Sequence, residues 1–345
     1  MGRKILGKAM SAKDDEFYTR YETVEAELKH YWQQLKGKRV YLNCDDPRFS
    51  KFWQYLYDNY HAIGLAGLTA TYCSGSAELW QYNGNSLLTD RLCGNGSYDS
   101  AECLDLLENS DVVITNPPFS LFRDFIDSLM SSGKDFLLIG NFLATGYQNI
   151  FDCIMNGDIK IGFCSGGTKF DRPDGSVKAV NIAWFTTLDV DNEKPLIPLT
   201  KTFNADDYPT YDNYDAINCD KVADIPLDYD GLIGVPITYL LKHNPAQFEI
   251  LGIAEKKDRY GLKTRNYKQM YVVRGDGLER QKGGFNGNAC LFYRGGMDNN
   301  KAVLLFNPKG NKQAYLDKTD GREVLLQFKF HRVFIKRITA AAVYR

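Results

Sequence analysis

Val112-Val113-Ile114-Thr115 leads directly into Asn116-Pro117-Pro118-Phe119. The first four residues are apolar or β-branched and predict a short buried strand. The two prolines lack backbone N–H donors and hold the chain extended, so the strand ends there. The amide oxygen of Asn116 and the first carbonyl groups after the strand are therefore predicted to lie beyond the edge of the sheet, as hydrogen-bond acceptors.

Short apolar runs alternate with helical patterns on both sides of this strand. The runs at 40–42, 68–72, 112–115, 136–139, 159–163 and 182–185 predict strands, and the segments 17–35, 49–60, 101–108, 121–130 and 147–155 predict helices. Strands that alternate with helices form a mostly parallel sheet with helices on both faces. Ligands of such sheets bind beyond the carboxyl ends of the strands, which is where Asn116 is expected.

The second half of the chain has a different pattern. Residues 189–230 are rich in Asp, Tyr, Asn and Pro without a clear period, and they predict a long surface connection. Short strand-like runs separated by glycine-rich turns follow at 248–253, 270–273, 289–293, 302–306 and 333–335. The predicted organisation is an α/β domain over 1–235 and a smaller β-rich lobe over 236–345.

The net charge of −1 hides a strong division along the chain. From Leu240 to Arg345 there are 21 Lys and Arg against 9 Asp and Glu, whereas the rest of the chain carries 21 against 34. Much of the acid lies between Thr186 and Leu232. A basic lobe on an acidic protein predicts a polyanionic partner at one end, although a solvated basic face has the same composition.

The composition argues against several other classes of protein. The eight cysteines and four histidines are dispersed, without the close ligand pairs of a zinc site, so no metal centre is predicted. No apolar run approaches the ~20 residues of a membrane span, and no apolar stretch of a secretory signal follows the basic N-terminus. A cytoplasmic, monomeric protein without a membrane partner is expected.

The acceptors at Asn116 suit one kind of nucleophile, an amino group on a conjugated system. Accepting both of its N–H hydrogens frees the nitrogen lone pair and drains charge as a new bond forms to nitrogen. The aromatic ring of Phe119 can stack on the group being modified. These residues do not decide which amino group is modified, and adenine N6, cytosine N4 and a glutamine amide all fit. A rigid exit from the strand, with no chemical role, is the plainer interpretation of the same four residues.

The motif and its surroundings resemble a known family. The segments DVVITNPPFSLFRDF (111–125), YLNCDDPRFSKF (41–52), NIAWFTTLD (181–189), YPTYDNYDA (208–216) and residues 228–253 are close to the EcoRI-type adenine-specific DNA methyltransferases. The resemblance covers residues 15–253 and implies a Rossmann-like, S-adenosylmethionine-dependent enzyme that methylates adenine N6 in duplex DNA after base flipping. It implies catalytic roles for Asn116, Pro117, Pro118 and Phe119, and base stacking by Phe119, Trp184 or Phe185.

The same resemblance assigns a cofactor site. It places the methionine-binding turn after the first strand of the sheet, at Asn43, Asp45, Asp46 and Phe49, although Asp45 and Asp46 also fit helix N-caps. Tyr18 and Thr19 match a segment that packs over the cofactor, and Tyr98 and Asp99 lie where relatives carry Gly-Asp-Phe. The turn lacks the usual G-x-G glycines. No acid ends the strand at 68–72, so the ribose contact is unassigned.

The basic lobe is expected to bind the substrate. The candidate DNA-binding residues, which would contact phosphates or base edges, are Lys256, Lys257, Arg259, Lys263, Arg265, Lys268, Arg280 and Lys282. The implied setting is a restriction–modification system, a phage or a mobile element, with a restriction endonuclease acting on the same site as a further partner. The alternatives are an RNA or protein-glutamine methyltransferase and a catalytically silent DNA-binding relative.

Overall fold

The computed structural model describes residues 18–44, 46–73, 77–171, 175–191, 194–268, 270–274, 277–280, 282–292, 302–306 and 324–338. The chain divides into two compact units, residues 1–192 and 193–345. None of the helices in the described ranges is long and apolar enough to cross a membrane.

The first unit is built on a ten-stranded mixed sheet. Its strands are β1 (Tyr18–Thr19), β2 (Arg39–Leu42), β3 (Gly67–Thr71), β4 (Glu78–Tyr82), β5 (Leu87–Arg91), β6 (Val112–Thr115), β7 (Asp135–Asn141), β8 (Lys160–Ile161), β9 (Gly166–Asp171) and β10 (Val177–Thr186). They lie in the order β1-β9-β10-β7-β6-β2-β3-β4-β5, and β8 also pairs with β10. The central strands β3, β2, β6 and β7 are parallel. The sheet is therefore of the predicted Rossmann-like type at its centre.

The prediction of a mostly parallel sheet is wrong at both margins, where the hairpins β4–β5 and β9–β10 pair antiparallel. All residues of β5 are exposed and those of β4 are half-buried. Neither strand therefore has the continuous apolar run that marks a buried strand in a sequence. Antiparallel strands can face water, which is why they lack this signal.

The helices of the first unit lie close to their predicted positions. They are α1 (Tyr21–Leu28), α2 (Trp32–Leu35), α3 (Lys51–Asp58), α4 (Tyr60–Ile63), α5 (Ala101–Glu108), α6 (Phe122–Ser132) and α7 (Gln148–Asn156). The helix predicted over 17–35 is interrupted by a 3-10 turn at Lys29–Tyr31, and Phe17 lies outside the described residues. Helices α6 and α7 end at Gly133 and Gly157 in the left-handed conformation, which a side chain would strain.

The core of the first unit contains one fully buried carboxylate. Glu27 on α1 accepts hydrogen bonds from the Tyr31 hydroxyl (2.8 Å) and from the backbone N–H groups of Phe163 (2.9 Å) and Cys164 (2.7 Å). Buried polar groups are tolerated when such partners satisfy them. A Cβ at Gly162 would overlap this carboxylate, so only glycine fits there.

The second unit is built from two sheets. Its strands are β11 (Ile217–Asn218), β12 (Ile233–Pro236), β13 (Phe248–Ile253), β14 (Tyr271–Arg274), β15 (Gly277–Arg280), β16 (Cys290–Phe292), β17 (Ala302–Phe306), β18 (Val324–Phe328) and β19 (Arg332–Arg337). One sheet has the order β11-β12-β19-β13, and the other has the order β15-β14-β17-β18-β16. A smaller β-rich unit was predicted, and the described strands confirm its character.

The segment 189–230 is not a surface connection over its whole length. Tyr208, Tyr211, Tyr214 and Ile225 are buried, and β11 pairs in parallel with β12. The segment therefore belongs to the second unit from residue 193 onward, and the boundary lies well before the predicted one at 235/236. The polar composition conceals this, because the Pro, Asp and Asn residues between the tyrosines predict a loop.

Candidate active site

The switch point of the parallel sheet lies between β2 and β6. The chain passes from β2 to β3, which is the neighbour of β2 on one side. Later it enters β6, which is the neighbour of β2 on the other side. The parallel register pairs Val40 with Val112 and Tyr41 with Val113, so the residues that follow the two strands are neighbours. Open α/β sheets bind ligands in the crevice at such a point. Asn43 and Asn116 therefore lie at the same crevice.

The chain leaves β6 through Asn116, Pro117 and Pro118. Pro117 is buried, and Asn116 is half-buried with an enclosed side-chain oxygen. Phe119 begins a 3-10 turn closed by a hydrogen bond from the Leu121 N–H to the Pro118 carbonyl (3.0 Å), and its ring packs half-buried against the core. A turn anchored in this way holds its acceptors in place before a substrate arrives, which is the condition for electrostatic catalysis.

The turn between β2 and α3 carries the predicted methionine-binding residues. Asn43 is buried. Asp46 accepts a hydrogen bond from the N–H of Arg48 (3.0 Å) and forms a salt bridge with its guanidinium (2.7 Å). The N-cap of α3 is Ser50, whose hydroxyl accepts from the N–H of Trp53 (3.2 Å). The alternative that Asp46 caps this helix is therefore wrong, and its carboxylate belongs to the turn itself.

Two further residues of this turn were predicted to bind the cofactor. Asp45 lies outside the described residues. Phe49 is 62% exposed, so its ring forms no enclosed wall with the rest of the turn. An exposed ring at this place can contribute only as a cover over a bound molecule.

A carboxylate that the sequence pattern does not reveal lies at the end of β3. Glu78 begins β4, and the antiparallel register places it beside Tyr72. Its carboxylate accepts a hydrogen bond from the indole N–H of Trp80 (3.1 Å) and lies 4.0 Å from the guanidinium of Arg48, which also contacts the Tyr72 hydroxyl. An acid is thus present at the end of β3 although β3 contains none. Recognising the β4 hairpin in the sequence would have revealed it.

The loop before α5 packs against the same end of β3. Gly96 has a φ of 71°, and a Cβ there would overlap the carbonyl oxygen of Tyr72, so only glycine allows this approach. Ser97 is buried, and its hydroxyl donates to the exposed carboxylate of Asp99. Tyr98 is half-buried, and burial raises the pKa of its hydroxyl to about 12. Tyr98 therefore stays protonated and can donate a hydrogen bond.

Strand β1 brings the predicted cofactor-binding residues Tyr18 and Thr19 near the edge of the sheet at which the parallel strands end. Thr19 pairs with Phe170 of β9, and the β9–β10 hairpin extends past β7, because Ile182 already pairs with Asn141 at the end of β7. The buried hydroxyl of Thr19 has no hydrogen-bond partner within the described part of the chain. An unpaired buried hydroxyl is unfavourable by about 1–3 kcal/mol, so it suits a ligand contact. The side chain of Tyr18 lies outside the described part of the structure.

Trp184 and Phe185 lie in the core, which corrects their assignment to base stacking. Both are fully buried in β10. Trp184 packs against Phe52 with ring centroids 5.7 Å apart, and Phe185 packs against Phe122 at 5.0 Å. Successive residues of a strand face opposite sides of the sheet, and here both sides are covered. Neither ring offers a free face, so the prediction is wrong for both; for Phe119 it stays a prediction.

The comparisons with known proteins agree with this geometry. The family model described as adenine-specific methyltransferase EcoRI matches residues 5–90 and 81–297. The Type II methyltransferase M.EcoRI of Escherichia coli is 39% identical over 297 residues, covering 73% of this chain and 91% of the relative. The chain belongs to the EcoRI-type family of adenine-specific DNA methyltransferases. The resemblance seen in the sequence is confirmed, and the protein is an enzyme.

Two Mycoplasma proteins are further relatives of this methyltransferase. The Type II methyltransferase M.MpnI of Mycoplasma pneumoniae is 39% identical over 270 residues, covering 71% of this chain and 84% of the relative. M.MgeORF184P of Mycoplasma genitalium, also a Type II methyltransferase, is 33% identical over 269 residues, covering 71% and 85%. These matches span most of each relative, so they concern the whole enzyme rather than a shared domain.

The basic candidates of the methyltransferase differ in how much charge they offer to solvent. Arg259 forms a salt bridge with Glu255 (3.2 Å), and Arg265 forms one with Asp212 (2.7 Å), yet both arginines remain exposed. The backbone of Arg280 lies in β15, and its side chain is outside the described residues. The exposed lysines are Lys256, Lys257, Lys268 and Lys282.

Lys263 has a different environment from the other predicted DNA-binding residues. Its ammonium group donates to the carbonyl oxygens of Glu255, Lys256 (3.3 Å) and Asn286 (3.0 Å). Burial lowers the pKa of this lysine. The ammonium group therefore stabilises the loop at residues 255–263 from within, while neighbouring lysines face solvent.

Proposed function

We propose that this enzyme transfers the methyl group of S-adenosylmethionine to N6 of an adenine extruded from duplex DNA. The observation that carries the proposal is the position of Asn116 at the switch point, one strand away from the turn that contains Asn43 and Asp46. Neighbouring strands are ~4.8 Å apart. A methyl donor held by that turn and an amino group held by Asn116 would therefore meet in one crevice.

The residues at the crevice fit the cofactor. Asp46 offers a carboxylate for its α-ammonium group, and Glu78 offers one for the ribose hydroxyls. Tyr98 supplies a protonated phenol, and the buried Thr19 hydroxyl, unpaired among the described residues, needs a partner that a ligand can supply. The bound cofactor supplies an electrophilic methyl on a sulfonium, so the protein needs no strong base.

Asn116 and the backbone after it are the proposed acceptors for the adenine amine. The side-chain oxygen of Asn116 accepts a hydrogen bond from one N–H, and the carbonyl of Pro117 accepts one from the other. As the methyl group leaves sulfur and bonds to nitrogen, the nitrogen releases one proton to water. These hydrogen bonds strengthen as positive charge develops on the nitrogen, so they stabilise the transition state more than the ground state. Phe119 is the proposed stacking partner of the extruded base and offsets an unstacking energy of a few kcal/mol.

We assign the chemistry to the first unit and the reading of DNA to the second. The support for the second assignment is the excess of Lys and Arg after Leu240, together with the exposed side chains of Lys256, Lys257, Lys268 and Lys282. Such groups neutralise phosphates and release counterions. The enzyme is proposed to act as a monomer, beside a restriction endonuclease that recognises the same DNA site.

Methyl-labelled S-adenosylmethionine and unmethylated plasmid DNA test the proposal directly. Label is expected in the DNA, and enzymatic digestion is expected to release N6-methyl-2′-deoxyadenosine. Label in N4-methylcytosine, in added RNA or in a protein glutamine would contradict the proposed acceptor. The Asn116→Ala variant, prepared in parallel, is the blank for contaminating methyltransferases of the expression host.

A further inference from the structure

A buried phenyl ring anchors the turn after β6, the segment 116–121 that contains both Asn116 and Phe119. Phe122, the first residue of α6, comes three residues after Phe119 and is 1% exposed. Its ring lies directly on Gly140 of β7, where a Cβ would overlap ring carbons Cε2 and Cζ. Phe185 of β10 packs against the same ring at 5.0 Å. The start of α6 is therefore packed on one face of the sheet, across the adjacent strands β7 and β10.

Gly140 occupies a decisive place for this contact. Thr115 at the end of β6 pairs with Leu138, so Gly140 lies on the part of β7 that continues past β6, level with Pro117, the residue after Asn116. Its φ is not in the left-handed region, unlike that of Gly133 or Gly157. The backbone conformation at residue 140 is therefore open to any residue. Glycine is needed there because a Cβ would overlap the ring of Phe122.

We infer that Gly140 and Phe122 are positioning residues for methyl transfer. Both are buried away from the residues proposed to contact the cofactor and the base, and in this inference they act by holding the segment 116–121, which carries Asn116 and Phe119. Protein interiors are close-packed, so an added methyl group at residue 140 must displace the ring and, with it, the start of α6. A displacement of about 1 Å at a reacting group lowers a rate by as much as ~100-fold. The inference rests on the function proposed for Asn116.

Gly140→Ala is the first test. Single-turnover methyl transfer to plasmid DNA is expected to fall by ~30-fold or more, because the ring must move. The affinity for S-adenosylhomocysteine, measured by calorimetry, is expected to stay within ~2-fold, because the turn after β2 is untouched. In Gly140→Ala/Phe122→Leu the smaller side chain admits the methyl group, and the rate is expected to return to within ~5-fold of wild type.

A matched glycine separates positioning from loss of stability. A Cβ at Gly162 would overlap the Glu27 carboxylate and lie 2.7 Å from Cβ of Trp184, but Gly162 belongs to the β8–β9 connection. Gly162→Ala is therefore expected to lower the Tm without lowering the rate constant of the folded enzyme. Phe122→Leu alone adds no atoms and keeps the test open if Gly140→Ala does not fold. Its transfer rate is expected to fall about 5-fold, with unchanged S-adenosylhomocysteine affinity.

The side-chain amide of Asn116 provides a readout that does not depend on DNA. Its ¹⁵N resonance, assigned by its loss in Asn116→Asp, is expected to shift in Gly140→Ala and to return in the double variant. In Gly162→Ala it is expected to stay in place. An unmoved resonance and a wild-type rate in Gly140→Ala would overturn the inference while the proposed function stands. A wild-type enzyme that methylates no adenine would overturn the proposed function, and the resonance would still decide the positioning role.

Discussion

Buried contacts hold both the turn after β6 and the loop at residues 255–263. The turn offers hydrogen-bond acceptors to a substrate, whereas the loop offers positive charges. The turn is anchored by Phe122 and presents two proposed hydrogen-bond acceptors, the side-chain oxygen of Asn116 and the carbonyl of Pro117. The loop is held by the ammonium group of Lys263 and presents the exposed charges of Lys256 and Lys257. An acceptor works only at one position, whereas a phosphate-binding charge tolerates displacement and shares its task with others. One substitution should therefore abolish the first role and only weaken the second.

The largest effect is expected at the turn. Asn116→Ala should lower single-turnover methyl transfer by at least ~100-fold, because the lost hydrogen bond strengthens mainly in the transition state. Calorimetry with S-adenosylhomocysteine should show an affinity within a few-fold of wild type. Asn109→Ala, at the exposed end of α5, is the control and should leave both quantities unchanged. A parallel loss of binding and rate in Asn116→Ala would assign Asn116 a structural role instead.

An intermediate effect is expected at the end of β3. Glu78→Gln should lower the affinity for S-adenosylhomocysteine about 10-fold, because a charge-assisted hydrogen bond to the ribose becomes a neutral one. The 2′-deoxy analogue sharpens the test. Wild type should bind it about 10-fold more weakly than the parent compound, and Glu78→Gln should show a smaller difference. An equal difference in both proteins would mean that Glu78 does not contact this hydroxyl.

A smaller effect is expected on the basic loop. Lys256→Gln/Lys257→Gln should weaken DNA binding about 5-fold at moderate salt, and the slope of log affinity against log salt should decrease by about 2. Fluorescence anisotropy with a labelled duplex, measured over a range of salt concentrations, gives both numbers. The transfer rate at saturating DNA should not change. An unchanged salt slope would show that these lysines do not meet phosphates.

The smallest effect on DNA is expected at Lys263, although it lies among the same basic residues. Lys263→Met should change DNA affinity by less than ~2-fold, because the ammonium group is already bound by backbone carbonyls. The free energy of unfolding should instead fall by about 1–3 kcal/mol, since those carbonyls lose their donor. Lys268→Met, at an exposed lysine, is the matched comparison. A larger loss of DNA affinity in Lys263→Met than in Lys268→Met would contradict the structural role of Lys263.

The parallel centre of the first unit was predictable because its elements carry their own signals. Strand β6 and helix α5 agree with their predicted bounds residue for residue. A strand buried on both faces is a continuous apolar run, and an amphipathic helix repeats every 3.6 residues. The hairpin β4–β5, which is half-buried in β4 and exposed in β5, has neither pattern. The buried tyrosines at 208, 211 and 214 lie among Pro, Asp and Asn, which predict a loop.

The Asn-Pro-Pro-Phe motif and the family could both be recognised in the sequence. The strand ending in Asn116-Pro117-Pro118-Phe119 is a local arrangement, in which each residue acts on its immediate neighbours. The family segments lie along the chain in the order in which they are read. Such features need no knowledge of which strand lies beside which.

The contacts between residues far apart in the chain became visible in the folded structure. It placed Glu78 beside Tyr72 and Arg48, the ring of Phe122 on Gly140, and the ammonium group of Lys263 among carbonyl oxygens. It also showed that Trp184 is buried in the core. In the sequence alone, a tryptophan fits a core and a base pocket equally well. Each of these outcomes depends on strand order and on packing across long sequence separations. Periodicity and local motifs carry no information about either.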